Sequence, residues 1–361
     1  MSKVLYLSLH RPGRSPSQRF RFEQYIDFLK RNGFDYNFSF LLSEDDDVAF
    51  YSEGNYLSKA GILAKSALRR FSEAFHASSY DIIFIQRECF MLGTSFFERM
   101  FSHSKAKIIF DFDDSIWINN VSEANKNLSF LKNANKTSEI IKVADLIFAG
   151  NQYLADYAKQ FNKNVEIIPT TIDTEEYQRI YSEKSDDKIC IGWSGSFSTI
   201  QHFKYAIPVL TEIKKKYGSS VAIKTIGDAK YKNEELGVVS LNWSKEDESK
   251  ELSSFDIGIM PLPDDEWAKG KCGLKGLQYM ALAIPTIMSP VGVNSEIIQD
   301  GVNGFLASNT EEWVHKLSVL IDSKEKRELM GRAARKTVIE KYSVVSQREH
   351  YLFLFNKLLK D

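Results

Sequence analysis

The chain has 361 residues, 43% hydrophobic and 26% charged, with a formal net charge of −1; at roughly 150 residues per domain this suggests about two domains, with apolar material for two cores and no charge excess for a dedicated nucleic-acid binder. Cys89, Cys190 and Cys272 have neither metal-ligand spacing nor an even disulfide framework, which implies a reducing cytoplasm. No apolar run approaches the roughly 18 residues of a membrane span, and the N-terminus reads as a first strand instead of a signal segment.

Apolar runs alternate with helical patterns along the chain, the pattern of parallel sheets with crossover helices. Residues 4–9 form the first strand, and Ser17 is placed to cap a helix running to about residue 31. Arg19 and Arg21, at the start of that helix, are candidates to grip an anionic acceptor or a donor phosphate; solvated surface charge is the alternative. Residues 35–42 are a second strand and 44–47 a solvated acidic turn. Residues 56–76 form an amphipathic helix with Lys59, Lys65, Arg69 and Arg70 on or near its polar side, read as core-packing with a charged outer face. A strand at 81–86 carries Arg87 and Glu88 at its carboxyl end, the edge where open α/β sheets bind ligands. The strand at 107–112 runs into Asp111, Asp113 and Asp114, more carboxylates than a helix cap requires; Asp113 and Asp114 are therefore catalytic candidates. Strands at 146–150 and 165–169 follow, and the charged, serine-rich stretch 182–188 marks a boundary.

The second half opens with a strand at 188–193, then Ser194-Gly195-Ser196-Phe197-Ser198-Thr199, then a helix over 200–217. A strand, a Gly/Ser turn and a helix start form a phosphate nest, which makes Gly195, Ser196, Ser198 and Thr199 candidates. His202 reads as a surface residue of that helix. Strands at 221–227 and 239–243 end in Gly227 and Trp243. The apolar run 257–262, closed by prolines, suits a buried parallel strand. After an acidic turn at 264–266 comes Lys269-Gly270-Lys271-Cys272-Gly273, and Leu274, Leu277, Gln278 and Ala281 then recur at helical spacing. A diphosphate fits such a turn: outward N–H groups and the helix dipole favour negative charge, and glycine lets it approach. Lys271 and Lys275 are the neutralising cations, with Cys272, Gly273 and Leu274 completing the cradle. A strand at 284–289 follows, then a capping box at Asn309 and Glu312 and helices at 324–341 and 344–360.

The stretch from Lys271 to Met280, with Ser289-Pro290-Val291-Gly292 and Asp300-Gly301-Val302-Asn303-Gly304-Phe305, resembles the donor-binding segment of retaining GT-B glycosyltransferases of the family 4 (group 1) type. The resemblance implies an α/β fold of two Rossmann-like domains facing a central cleft. It implies an acceptor-binding domain at 1–172, completed by a helix at 344–361 that crosses back, and a donor-binding domain at 173–343. It implies transfer of a sugar from a UDP-, GDP- or ADP-sugar to a saccharide or lipid-linked acceptor, with retention and no required cofactor or metal. Asp113 and Asp114 fall where relatives carry His-Asp beside the transferred sugar, and relatives place the nucleobase between the segments after Gly227 and around Trp243. The family's Glu-x7-Glu pair falls on Gly270 and Gln278, so both carboxylates are missing; Gln278 retains an amide able to bond a ribose hydroxyl. Peripheral contact with the inner face of the cell membrane is a further expectation. The competing readings are a catalytically silent nucleotide-sugar-binding scaffold and a sugar-nucleotide epimerase on the same fold. A dehydrogenase is disfavoured, because no Gly-x-Gly-x-x-Gly follows the first strand.

Overall fold

In the computed structural model, which describes residues 1–118, 133–180, 188–195 and 199–360, the chain divides into two compact units. One comprises Met1–Thr170 together with Arg348–Asp361, and the other Thr171–Gln347.

The first unit is built on six parallel strands: β1 (Ser2–His10), β2 (Phe34–Leu42), β3 (Ile82–Gln86), β4 (Lys107–Phe112), β5 (Leu146–Ala149) and β6 (Val165–Ile167). They lie in the order β2-β1-β3-β4-β5-β6, so the topology reverses between β1 and β3. β3, β4 and β5 are buried almost throughout. Helices cover both faces of such a sheet, and its strands therefore read as unbroken apolar runs. The chain returns to this unit at its end. Tyr351 stacks on Tyr25 at 4.4 Å, and Phe355 packs on Phe34, Phe84 and Phe148.

The second unit repeats the plan with β7 (Ile189–Ser194), β8 (Val221–Gly227), β9 (Val239–Asn242), β10 (Ile257–Met260), β11 (Thr286–Met288) and β12 (Phe305–Leu306), ordered β12-β11-β10-β7-β8-β9. Its reversal falls between β7 and β10, where Gly192 and Gly258 pair across the ladder. Phe255 and Tyr279 fill the space a side chain would need at those two positions. All three cysteines are free thiols.

Several local expectations change. The acidic turn at 44–47 is the first half of a helix, Glu44–Tyr51, because Ser43 and Asp46 close a capping box; the aspartates sit where the helix dipole favours them. The helix expected from Ser17 to residue 31 is broken into Pro16–Arg19, a 3-10 turn and Ile26–Arg31, with Ser15 at the N-cap position. Helices at Phe96–Ser102 and Lys136–Val143 were not anticipated. The helix expected at 56–76 runs Tyr56–Phe75 with His76 as its C-cap, but its outer face is not simply charged. Leu57, Leu68 and Phe75 are 92, 70 and 78% exposed and fall on one side at about 3.6 residues per turn, whereas Lys59 and Arg70 are buried.

Because Phe355 is fully buried among rings of three strands, Phe355→Ala should destabilise the first unit by about 3–5 kcal/mol. Hydrogen-exchange protection of β3 and β5 measures this. An unchanged protection pattern would show that the terminal helix contributes nothing to the first core.

Candidate functional site

In the second unit the site is built at the carboxyl ends of β7 and β10, the reversal point where ligands of doubly wound sheets bind. Three local devices shape it. Asp265 caps the short helix Glu266–Lys269 by accepting from Ala268 N at 2.7 Å. The chain then passes Lys271 and Cys272 to Gly273, which sits at the N-cap of the helix Leu274–Ala281 with φ +70°. A Cβ there would be strained and would lie 2.4 Å from Ile297 Cδ1. Glycine also leaves this helix without a side-chain cap of its own, so the N-cap residue places no hydroxyl or carboxylate on the first-turn dipole. Finally, Tyr279 reaches back from the same helix. Its hydroxyl accepts from Ser194 N at 2.7 Å and shares a hydrogen bond with Ser194 Oγ at 2.8 Å, tying the end of β7 to the lysine turn.

The cations of the turn have distinct surroundings. Lys269 is committed to Glu266, 2.9 Å away. Lys271 lies over the Trp267 ring and Lys275 over Trp193, at 4.8 and 5.4 Å from the centroids. Such stacking orients an ammonium group without cancelling its charge. Near them is His202, which the sequence reading placed on the surface. It is 5% exposed, and burial together with Lys275 and Lys271 holds its imidazole down to about 4.

Other expected members of the cradle stand differently. The Gly195 amide donates to Ile226 O at 2.9 Å, closing the β7–β8 ladder, and is spent. Gly195 itself is required by space, since a Cβ would lie 2.3 Å from the Trp193 ring and 2.6 Å from Thr199 Oγ1. The amides of Gly270 and Lys271 close the preceding helix onto Trp267 O and Ala268 O. Cys272 is buried, with its thiol directed at Gly270 O. Ser196 and Ser198 lie outside the described residues.

Gln278 departs from its expected role. It is buried, and its Nε2 donates to Tyr177 Oη at 3.0 Å and to Glu248 Oε1 at 3.1 Å. Trp243 Nε1 donates to the same Glu248 oxygen at 2.8 Å, and Tyr177 Oη donates to Glu248 Oε2 at 2.5 Å. Both amide hydrogens of Gln278 are thus directed to Tyr177 and Glu248, so a ribose contact would fall to its carbonyl oxygen. Glu248, which the sequence reading missed, anchors Gln278, Trp243 and Tyr177. No spacing in the sequence links these residues, which lie up to 101 positions apart.

In the first unit a second cluster forms at the carboxyl ends of β3 and β4. Arg87 has φ +62°, its amide donates to Asp111 O, and its guanidinium grips Asp113 Oδ1 through Nε and Nη2 at 2.9 and 2.8 Å and Asp114 Oδ2 at 3.1 Å. Burial favours a neutral Arg87, yet the two aspartates more than offset it and raise its pKa. Glu88 accepts from Lys136 Nζ at 2.7 Å. Arg21 is corrected outright. Its side chain is fully buried, paired with Asp111 at 2.5 Å and donating also to Ile168 O, so it holds the sheet end together and presents nothing to an acceptor. Arg19 is also buried, with its guanidinium 4.8 Å from the Phe20 ring centroid. Among the described residues no group of three or more His, Cys, Asp or Glu is arranged to hold a metal ion.

Residues 188–323 match the sequence model of the family described as glycosyl transferases group 1. The chain is 28% identical over 215 residues to the sulfoquinovosyl transferase of Arabidopsis thaliana, a match covering 55% of this chain and 39% of that protein; it thus spans well under half the length of that curated relative. Among solved structures it resembles a glycosyltransferase from Rickettsia africae, with TM-score 0.70 at 14% identity over 100% of this chain and 99% of that one. It also resembles Anabaena HepE in complex with UDP and glucose, with TM-score 0.66 at 14% identity over 99% and 100% of the two chains. The fold is GT-B, and the chain resembles the group 1 glycosyltransferases.

Arg21→Ala should cost about 3–5 kcal/mol, because it strands the buried Asp111 carboxylate; urea unfolding of the first unit measures it. A stability change below about 1 kcal/mol would return Arg21 to the ligand-binding candidates.

Proposed function

We propose, from a GT-B chain that resembles the group 1 glycosyltransferases, that this protein transfers a sugar from a nucleotide-sugar to a hydroxyl of a saccharide or lipid-linked acceptor in surface polysaccharide or glycoconjugate synthesis, on the cytoplasmic side of the membrane. The observation that carries the reading is the uncapped helix start at Gly273 flanked by Lys271 and Lys275. It lies at the sheet reversal, within the stretch that matches the family. Lys271, Lys275 and the helix dipole hold the diphosphate and stabilise the charge that develops as it leaves. Thr199 flanks the phosphates, and Gly227 and Trp243 face the base. Gln278 acts as a positioning residue through Glu248. Asp113 and Asp114, fixed by Arg87, orient the acceptor hydroxyl, and Glu88 and Arg19 are further acceptor-side candidates. Retention follows from the family likeness: the departing phosphate takes the acceptor proton on the face it leaves. HepE was solved with UDP and glucose, so UDP-sugars are the first donors to try.

No helix among the described residues is long and apolar enough to cross a membrane. The exposed Leu57, Leu68 and Phe75 support a peripheral lipid contact. Lys65 is tied to Asp46 and Arg69 to Phe40 O, so this contact is chiefly apolar. Leu68→Glu should abolish co-sedimentation with neutral phosphatidylcholine vesicles. Wild-type protein that stays in the supernatant would dismiss the contact.

A panel of UDP-, GDP- and ADP-sugars, assayed for nucleotide release with and without acceptors, tests the main reading. Lys271→Ala should weaken donor binding at least tenfold, on the order of 1.4 kcal/mol, whereas Asp114→Ala should lower kcat with little change in donor affinity. Measurable donor binding without nucleotide release from any donor, with or without acceptor, would favour the silent scaffold instead.

A further inference from the structure

One side chain beside the lysine turn has no part in the reading above. His202, on the short helix Ile200–Phe203, is 5% exposed, and its Nδ1 has no hydrogen-bond partner among the described residues. Buried polar atoms are nearly always satisfied, and one that is not calls for a partner of its own. The charged groups that act on it are Lys275 and Lys271, from the helix Leu274–Ala281 and the turn before it, and Asp265, at the cap of the helix Glu266–Lys269. Two cations outweigh one carboxylate, so the imidazole lacks an anion.

We propose that His202 takes up a proton when the diphosphate of a nucleotide-sugar binds at the Lys271–Lys275 turn, becoming a third cation of that site and making donor binding proton-linked. This inference rests on the donor-binding reading above. With the site empty, a proton on His202 would add a buried positive charge beside two lysines, and the imidazole stays neutral to about pH 4. A bound diphosphate reverses the sign of that environment: its charge offsets the lysines, and its oxygens accept from the ring N–H. The proton comes from solvent, and no covalent bond changes.

The sign follows directly. Binding raises the pKa of His202, so affinity rises as pH falls through the bound-state pKa and levels off below the free-state value. If the bound-state pKa returns to about 6.5, affinity at pH 5 should exceed that at pH 8 by about 30-fold, and about three-quarters of a proton should be taken up at pH 6.

The test is calorimetric titration of the whole chain with UDP-glucose, GDP-mannose and ADP-glucose, at pH 6, in two buffers of different ionisation enthalpy. The phosphates of nucleotide-sugars do not titrate between pH 5 and 8, so any uptake belongs to the protein. His202→Gln should take up no proton at pH 6 and lose the 30-fold pH dependence, whatever its affinity at pH 8. The imidazole nitrogen shifts of His202 in the wild type, with and without ligand, give the same answer without a variant. They should move to imidazolium values on binding. Binding without proton uptake, uptake that persists in His202→Gln, or unmoved imidazole shifts would each overturn the proposal while leaving the donor site standing. Failure of all three nucleotide-sugars to bind the folded chain would remove both.

Discussion

The geometry around the lysine turn depends on one buried hydroxyl. Tyr279 sits in the second turn of the helix Leu274–Ala281 and holds both the amide and the hydroxyl of Ser194 at the end of β7. Burial keeps its phenol protonated, so the strut does not loosen over the working pH range. At a sheet reversal two neighbouring strands lead their chains away in opposite directions, which opens a crevice but leaves its two walls without shared backbone bonds. The Tyr279–Ser194 link supplies that connection. Gly258 makes room for it, since any side chain there would meet the Tyr279 ring at 2.4 Å. With the helix start fixed in this way, the positive φ of Gly273 and the ring-stacked lysines would meet the proposed diphosphate as a preorganised site, with little ordering left to be done by the ligand.

The first unit uses arginines to a similar end. Three aspartates crowded at the end of β4 and just beyond it would repel one another, but each has an arginine: Arg21 for Asp111, and Arg87 for Asp113 and Asp114. The two arginines differ in kind. Arg21 is sealed in the core, where its pair specifies how the sheet end closes and where loss of either partner is costly. Arg87 remains about one-third exposed while it holds Asp113, half-buried, and Asp114, buried, in place. The strained backbone of Arg87 sets the approach of that guanidinium, and positions of this kind gather at functional sites.

Much of the architecture is legible in the sequence, because buried parallel strands need continuous apolar runs and the chain supplies them between turn residues. The lysine turn is legible too, since glycines and lysines before a helical pattern have few structural uses. The failures have physical causes. The aspartates after Ser43 look like a solvated turn until their place at a helix start, where the dipole welcomes them, is known. Arg21 looks like a surface residue, because nothing local reveals that Asp111, 90 positions away, will neutralise it in the core. His202 and Glu248 are hidden for the same reason. Their chemistry is set by burial and by partners that tertiary folding brings together, which periodicity cannot report.

The missing Glu-x7-Glu carboxylates take on a different aspect in this setting. Gln278 is not an exposed remnant of a ribose contact. It is a buried member of a network that fixes Glu248, Tyr177 and Trp243. The proposed donor site therefore rests on the Lys271 and Lys275 cations and a helix dipole, with no carboxylate at Gly270. The most direct measurement is a crystal structure of the chain with a nucleotide-sugar bound. The diphosphate is expected within hydrogen-bonding distance of the Lys271 and Lys275 ammonium groups and over the helix start at Gly273. A nucleotide seated elsewhere on the second unit, with that turn empty, would contradict the account.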